Sequence, residues 1–151
     1  MSKMMEGKVV VVTGAGRGIG RDMALLMAAE GAAVVVNDLG VSVDGSVSTE
    51  TPAAEVVREI ESRGGRAVAN GESVSDWTAA GRIVQCAMDT FGRIDAVVNN
   101  AGILRDRFFF NMSLEEWRAV IDVHLNGTFY VSRAAAPHFK AQNSGAYVHM
   151  T

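Results

Sequence analysis

The chain has 151 residues, 48% hydrophobic and 21% charged, which is enough apolar material for one core of ordinary domain size. A formal charge of −3 with both signs scattered offers no basic stripe for a nucleic acid and no polybasic patch for an anionic membrane, so neither partner is expected. Residues Met1 to Lys8 hold no apolar stretch of signal-peptide length, no later run approaches membrane-spanning length, and Cys86 is the single cysteine; together these predict a cytoplasmic domain without disulfides.

Short apolar runs rich in β-branched residues alternate with longer amphipathic segments, the pattern of strands and crossover helices in a parallel sheet. The first strand is predicted over Lys8–Thr13, followed by a helix over Gly18–Glu30 and a second strand over Ala32–Asn37. The polar stretch from Asp38 to Glu50, with Gly40 and Gly45, reads as a flexible flap. Thr51 before Pro52 marks an N-cap with proline at the first helical position, opening a helix to Arg63. A third strand over Arg66–Asn70 leads to a helix over Asp76–Phe91, where Cys86 lies among Ile83, Val84, Ala87 and Met88 and is expected to be a buried thiol. After a fourth strand over Ile94–Asn99, the capping box of Ser113 with Glu116 starts one long helix from Leu114 towards Gln142, and a fifth strand covers Ala146–Met150. Met23, Met27, Trp77 and Trp117 stand at helical spacings and are expected to pack towards the sheet. No repeat or linker divides the chain, so residues 1–151 are expected to form one domain.

Between the first strand and first helix runs Thr13-Gly14-Ala15-Gly16-Arg17-Gly18-Ile19-Gly20. Glycines let a backbone turn tightly and approach a pyrophosphate, while a helix N-terminus presents N–H donors and positive dipole to the anion. The spacing is Gly14-x-x-x-Gly18-x-Gly20; the usual G-x-G-x-x-G fails, because its third glycine would fall on Ile19. A glycine cluster alone is often an ordinary tight turn, and it is the strand before and the helix after that favour a phosphate site here. Asp38 ends the second strand, where the adenosine ribose lies in a dinucleotide fold. A carboxylate there accepts from ribose hydroxyls and repels a 2′-phosphate, so NAD is expected over NADP, with Arg17 as a partial offset. The plainer account of Asp38 is a strand-end cap.

These residues, with Asn99-Asn100-Ala101-Gly102 after the fourth strand, resemble the short-chain dehydrogenase/reductase family, whose marks are T-G-x-x-x-G-x-G and N-N-A-G. Within it, Asn37-Asp38-Leu39-Gly40, Gly102 to Arg107 and Val123-His124-Leu125 look most like the (3R)-hydroxyacyl-CoA dehydrogenase part of peroxisomal multifunctional enzyme type 2 and its bacterial relatives. The resemblance implies a Rossmann-like, doubly wound α/β domain with strand order 3-2-1-4-5. It implies that Gly14, Gly18, Ile19 and Gly20 face the pyrophosphate, Asp38 and Leu39 the adenosine ribose, and Glu72, Ser73 and Val74 the adenine edge. Asn100, Ala101 and Gly102 would lie along the nicotinamide-side ribose. The implied activity is NAD-linked exchange between a secondary alcohol and a ketone, in a homo-oligomer built partly on the long fourth helix.

The family's catalytic set is an Asn on that helix, then Ser, Tyr and Lys. The Asn position falls on His124, while Asn126 is two residues on, about 200° around an α-helix. The resemblance implies that His124 helps hold a water relaying protons at a helix kink; the alternative is a packed residue hydrogen-bonded locally. The serine would fall two places beyond Thr151, and no Y-x-x-x-K occurs, so these 151 residues are not expected to turn over substrate normally, and the fifth strand is expected to be an uncovered edge. Arg105 to Phe110 follow the N-N-A-G turn and either touch an acyl or CoA group or form a solvated loop over a satellite core. His138 and His149 stand alone, and no metal site is expected. Three functions remain in view: a hydroxyacyl-CoA dehydrogenase, a dehydrogenase for a steroid, sugar or acyl-carrier substrate, and a non-catalytic nucleotide-binding module.

Overall fold

Val9–Thr13 (β1) and Ala33–Asn37 (β2) bury every one of their side chains. Strands buried on both faces in this way need helices on both sides of their sheet. In the computed structural model, which describes residues 3–40 and 50–151, they have them. The other strands and α-helices among the described residues are α1 (Gly18–Ala29), α2 (Pro52–Ser62), β3 (Arg66–Asn70), α3 (Trp77–Phe91), β4 (Ala96–Asn99), α4 (Leu114–Ile121), α5 (Gly127–Gln142) and β5 (Ala146–His149). Every strand pair is parallel and the order is β3-β2-β1-β4-β5, as expected. The order reverses between β1 and β4, so a crevice opens beyond their carboxyl ends.

Alternation along the strands divides the core. Val9, Val11, Ala33, Val35 and Val97 face α3 and α5, meeting Ile83, Val84, Val131 and Phe139. Val10, Val12, Val34, Val36 and Val98 face α1 and α2, meeting Ala24, Ala28, Val56 and Ile60. Among the described residues the buried polar ones are Thr13, Asn37, Asp95 and Asn99, and three of these stand at the carboxyl ends of β1, β2 and β4, beside the crevice. Asp95 lies at the opposite end, where it accepts from the Val9 N–H at 2.9 Å and from Arg93 Nε and Nη2 at 2.8 and 2.7 Å. Burial pushes its carboxyl up, but these bonds and the charges of Arg93 and Lys8 outweigh it and hold the group below the usual carboxylate range.

Several expectations are corrected. Asp76 stands outside α3 as its N-cap, its carboxylate accepting from the Ala79 N–H at 2.6 Å. The single long helix is interrupted: Asp122–Asn126 winds as a π-turn between α4 and α5. Cys86 is half-buried against the α3–α5 core instead of fully buried. Met23 and Met27 do pack on the opposite core, but Trp77 and Trp117 are 56% and 54% exposed. Trp77 sits in the first turn of α3 and meets Tyr130 edge-on at 5.3 Å, while Trp117 rides on α4, which buries no residue. Phe108 and Phe110 form no satellite core; they are exposed and stack on each other at 5.6 Å. β5 is an exposed edge strand. The expected flap, apart from its ends, lies outside the described residues. Among the described residues no helix is long and apolar enough to cross a membrane, and no cluster of metal ligands occurs.

Candidate functional site

The turn after β1 is closed on one side and open on the other. Gly14, at φ +62°, brings its backbone so near the N-N-A-G turn that a Cβ would lie 2.8 Å from Ala101 Cα. A Cβ at Gly16 would lie 2.7 Å from Asp38 Oδ2, and one at Gly20 would run into the Gly14 carbonyl and the Asn100 amide. Gly18 is the exception, because at φ +55° a Cβ there would meet nothing within 4 Å. Arg17 is the exposed N-cap of α1 and gives it no side-chain cap, whereas Thr51, Asp76 and Ser113 cap α2, α3 and α4. The first turn of α1, with exposed Ile19, therefore leaves its N–H donors and positive end to an outside acceptor.

Asp38 faces this turn. Its Oδ2 accepts from the Gly16 N–H at 3.0 Å and its Oδ1 from the Gly40 N–H at 2.9 Å. Both oxygens are fixed in place, and each keeps lone-pair capacity for a further donor. Gly16 does not fit the motif's glycine spacing; its signal is the need for a bare backbone opposite an acid. A cleft of about 260 Å³ opens here, and Gly14, Asp38, Leu39, Glu72, Ser73, Val74, Ala101 and Gly102 all line it, joined by Asn37, Ser75, Ile103 and Val123. Arg17, Gly18, Ile19, Gly20, Asn100 and His124 stand outside this lining. A wider hollow of about 960 Å³ beside Arg107, Phe108 and Glu116 shares no residue with it, and the Arg107 charge there is paired with Glu116 at 2.7 Å.

The two motifs are bonded to each other. Thr13 Oγ1 accepts from the N–H groups of Asn100 and Ala101 at 3.1 and 3.0 Å, and Asn100 Nδ2 donates to the carbonyls of Thr13 and Gly14, both at 3.1 Å. Asn99 Nδ2 donates to Ser132 Oγ at 2.9 Å and lies 3.1 Å from His149 Nδ1, so His149 does have a partner. On the other wall, Arg82 donates to both Glu72 oxygens at 2.7 and 2.8 Å, and this bond above all holds the Glu72 carboxyl below its usual range. The carboxylate is thus committed to α3. Ser73 and Ser75 share a hydroxyl contact of 2.9 Å.

His124 bridges two elements. Its Nε2 lies 2.9 Å from the Ile103 carbonyl and 3.1 Å from the Ile103 N–H, so it donates to the first in one tautomer and accepts from the second in the other. Gly102 makes room for the ring, since a Cβ there would lie 2.6 Å from His124 Cε1. The His124 carbonyl, inside the π-turn, accepts from Thr128 Oγ1 at 2.7 Å. Asn126 points elsewhere, donating to Asp122 Oδ1 at 2.8 Å.

A doubly wound parallel sheet with a glycine turn and an acid at its switch point defines the Rossmann-like class. A family model described as short chain dehydrogenase matches residues 8–151, and the chain belongs to that family of oxidoreductases. It is 54% identical over 140 residues to mouse peroxisomal multifunctional enzyme type 2, covering 93% of this chain and 19% of that protein. It is 46% identical over 140 residues to a hydroxyacyl-CoA dehydrogenase of Mycobacterium tuberculosis, covering 90% of this chain and 41% of the other. A 7α-hydroxysteroid dehydrogenase solved with NADH and 7-oxo glycochenodeoxycholic acid superposes with a TM-score of 0.88 at 29% identity, over 99% of this chain and 55% of that one. The chain therefore spans little more than half the length of that dehydrogenase, and less of the other two.

Proposed function

We propose that the cleft binds a nicotinamide adenine dinucleotide, NAD in preference to NADP. In the complete protein it would serve exchange between a secondary alcohol and a ketone, with a 3-hydroxyacyl-CoA as the substrate class. The observation that carries this reading is the Asp38 carboxylate, held on both oxygens by backbone N–H groups beside the uncapped end of α1. The residues suit the group: bare backbone at Gly18 for a pyrophosphate, a fixed acid for ribose hydroxyls, and apolar Leu39 and Val74 for an adenine. When bound, the cofactor accepts or delivers hydride at its nicotinamide ring.

This chain's residues bind and orient. Asn100 and Thr13 lock the N-N-A-G turn to the glycine turn, so the surfaces that would hold the nicotinamide-side ribose and the pyrophosphate keep a set spacing. His124 takes the relay position that the family resemblance assigns to it; its ring holds Ile103, while its carbonyl keeps a lone pair for a water. The hydroxyacyl-CoA dehydrogenase relative supports the substrate class, and the lone Cys86 suits a reducing compartment such as the cytoplasm. The test is titration of the chain with NADH and NADPH, followed by nicotinamide fluorescence. NADH should bind about tenfold tighter or better, as expected for an acid meeting a 2′-phosphate. Equal or tighter NADPH binding overturns the cofactor preference, and binding of neither overturns the reading.

A further inference from the structure

Three walls of the cleft meet at Asn37, which is 2% exposed at the end of β2. Its carbonyl accepts from the Ala15 N–H of the glycine turn at 2.9 Å. Its Nδ2 lies 2.8 Å from Asn70 Oδ1, 2.9 Å from the Glu72 carbonyl and 3.4 Å from the Asn70 carbonyl. Asn70 Oδ1 also accepts from the Glu72 N–H at 3.1 Å, and Asp38, the residue just after β2, donates its N–H to the Asn70 carbonyl at 3.0 Å. The turn beyond β3 is therefore shaped by two amide side chains where the strand pairing stops. A buried amide is retained where its donors are satisfied, and here one acceptor, the Glu72 carbonyl, belongs to the turn that lines the cleft, while Asn70 supplies the others from the end of β3.

We propose that Asn37 is a positioning residue for the adenosine half of the cofactor. It holds the turn at Glu72–Ser75 at a fixed distance from the Asp38 carboxylate, so that base and ribose are gripped together. The inference rests on the dinucleotide reading above. None of the bonds it invokes touches Ala101, Gly102 or Ile103 on the opposite wall. Loss of the clasp should therefore loosen the adenosine end and spare the nicotinamide end. A brace with no bearing on ligand geometry would lower stability without this split.

The experiment is calorimetric titration of the 151-residue chain and its variants with ADP-ribose and with reduced nicotinamide mononucleotide. Asn37→Asp keeps the shape but turns an acceptor towards the Glu72 carbonyl, and Asn70→Leu removes the Oδ1 acceptor. Each should weaken ADP-ribose about tenfold, the scale of one buried hydrogen bond, with the mononucleotide unchanged within about twofold. Asn70→Asp keeps the acceptor and should bind ADP-ribose about threefold tighter or better than Asn70→Leu does. Should Asn37→Asp fail to fold, the two Asn70 variants decide. Unchanged ADP-ribose affinity, or equal losses for both ligands, overturns the proposal while leaving the dinucleotide reading intact. If the unaltered chain binds neither NADH nor ADP-ribose, both fall.

Discussion

Gly20→Ala should destabilise the domain by about 3 kcal/mol, although glycine to alanine inside a helix ordinarily stabilises by about 1 kcal/mol. The sign is reversed by two neighbours that have nowhere to go. The added methyl would overlap the Gly14 carbonyl, and Gly14 is itself wedged against Ala101. It would also overlap the Asn100 amide, which is committed to the Thr13 and Gly14 carbonyls at 3.1 Å each. Relief requires separating the two motifs that the cleft depends on. Gly18→Ala provides the contrast: it enters open space and suffers only the left-handed backbone strain at φ +55°, about 1 kcal/mol. That variant should stay folded yet bind NADH on the order of tenfold more weakly, because the methyl fills the side open to the phosphates. Urea unfolding of the three proteins checks the first claim, and a Gly20→Ala midpoint equal to the parent's would contradict it.

Asp38→Asn should weaken NADH by about ten- to a hundredfold, the scale of hydrogen bonds to a charged group. The substitution removes the charge and leaves one amide nitrogen opposite a backbone donor, Gly16 N–H or Gly40 N–H. A 2′-phosphate no longer meets an acid, so NADPH should lose little or gain. The ratio of the two affinities is the informative quantity, since a general loosening of the loop would lower both alike. NADH binding that survives the change would remove Asp38 from the site.

What the amino-acid sequence disclosed, and what it hid, divides by the range of the interactions. β1 and β2 announce themselves because a run such as Val9–Val12 has no solvent-facing side, and that demands the two-faced sheet seen here. The caps at Thr51 and Ser113 are local, so the sequence shows them directly. The family resemblance implies a helix kink at His124, but its form, a π-turn over Asp122–Asn126, is invisible to a count of apolar positions, which assumes a constant 3.6-residue period. Periodicity marks the apolar face that carries Trp117 without saying what covers it, and the side chain is exposed. Asn37 looked like the last polar residue of a strand; its partners Asn70 and Glu72 are brought to it only when β2 and β3 pair. His124 likewise finds Ile103 across 21 residues of sequence, from a π-turn that the helical pattern conceals.

Diffraction from crystals of this chain soaked in NADH tests the central claim most directly. The account predicts phosphates against the first turn of α1 beside Gly18, and an adenosine ribose whose hydroxyls donate to Asp38. Dinucleotide bound away from that turn, or seated there with its ribose turned from Asp38, would contradict it.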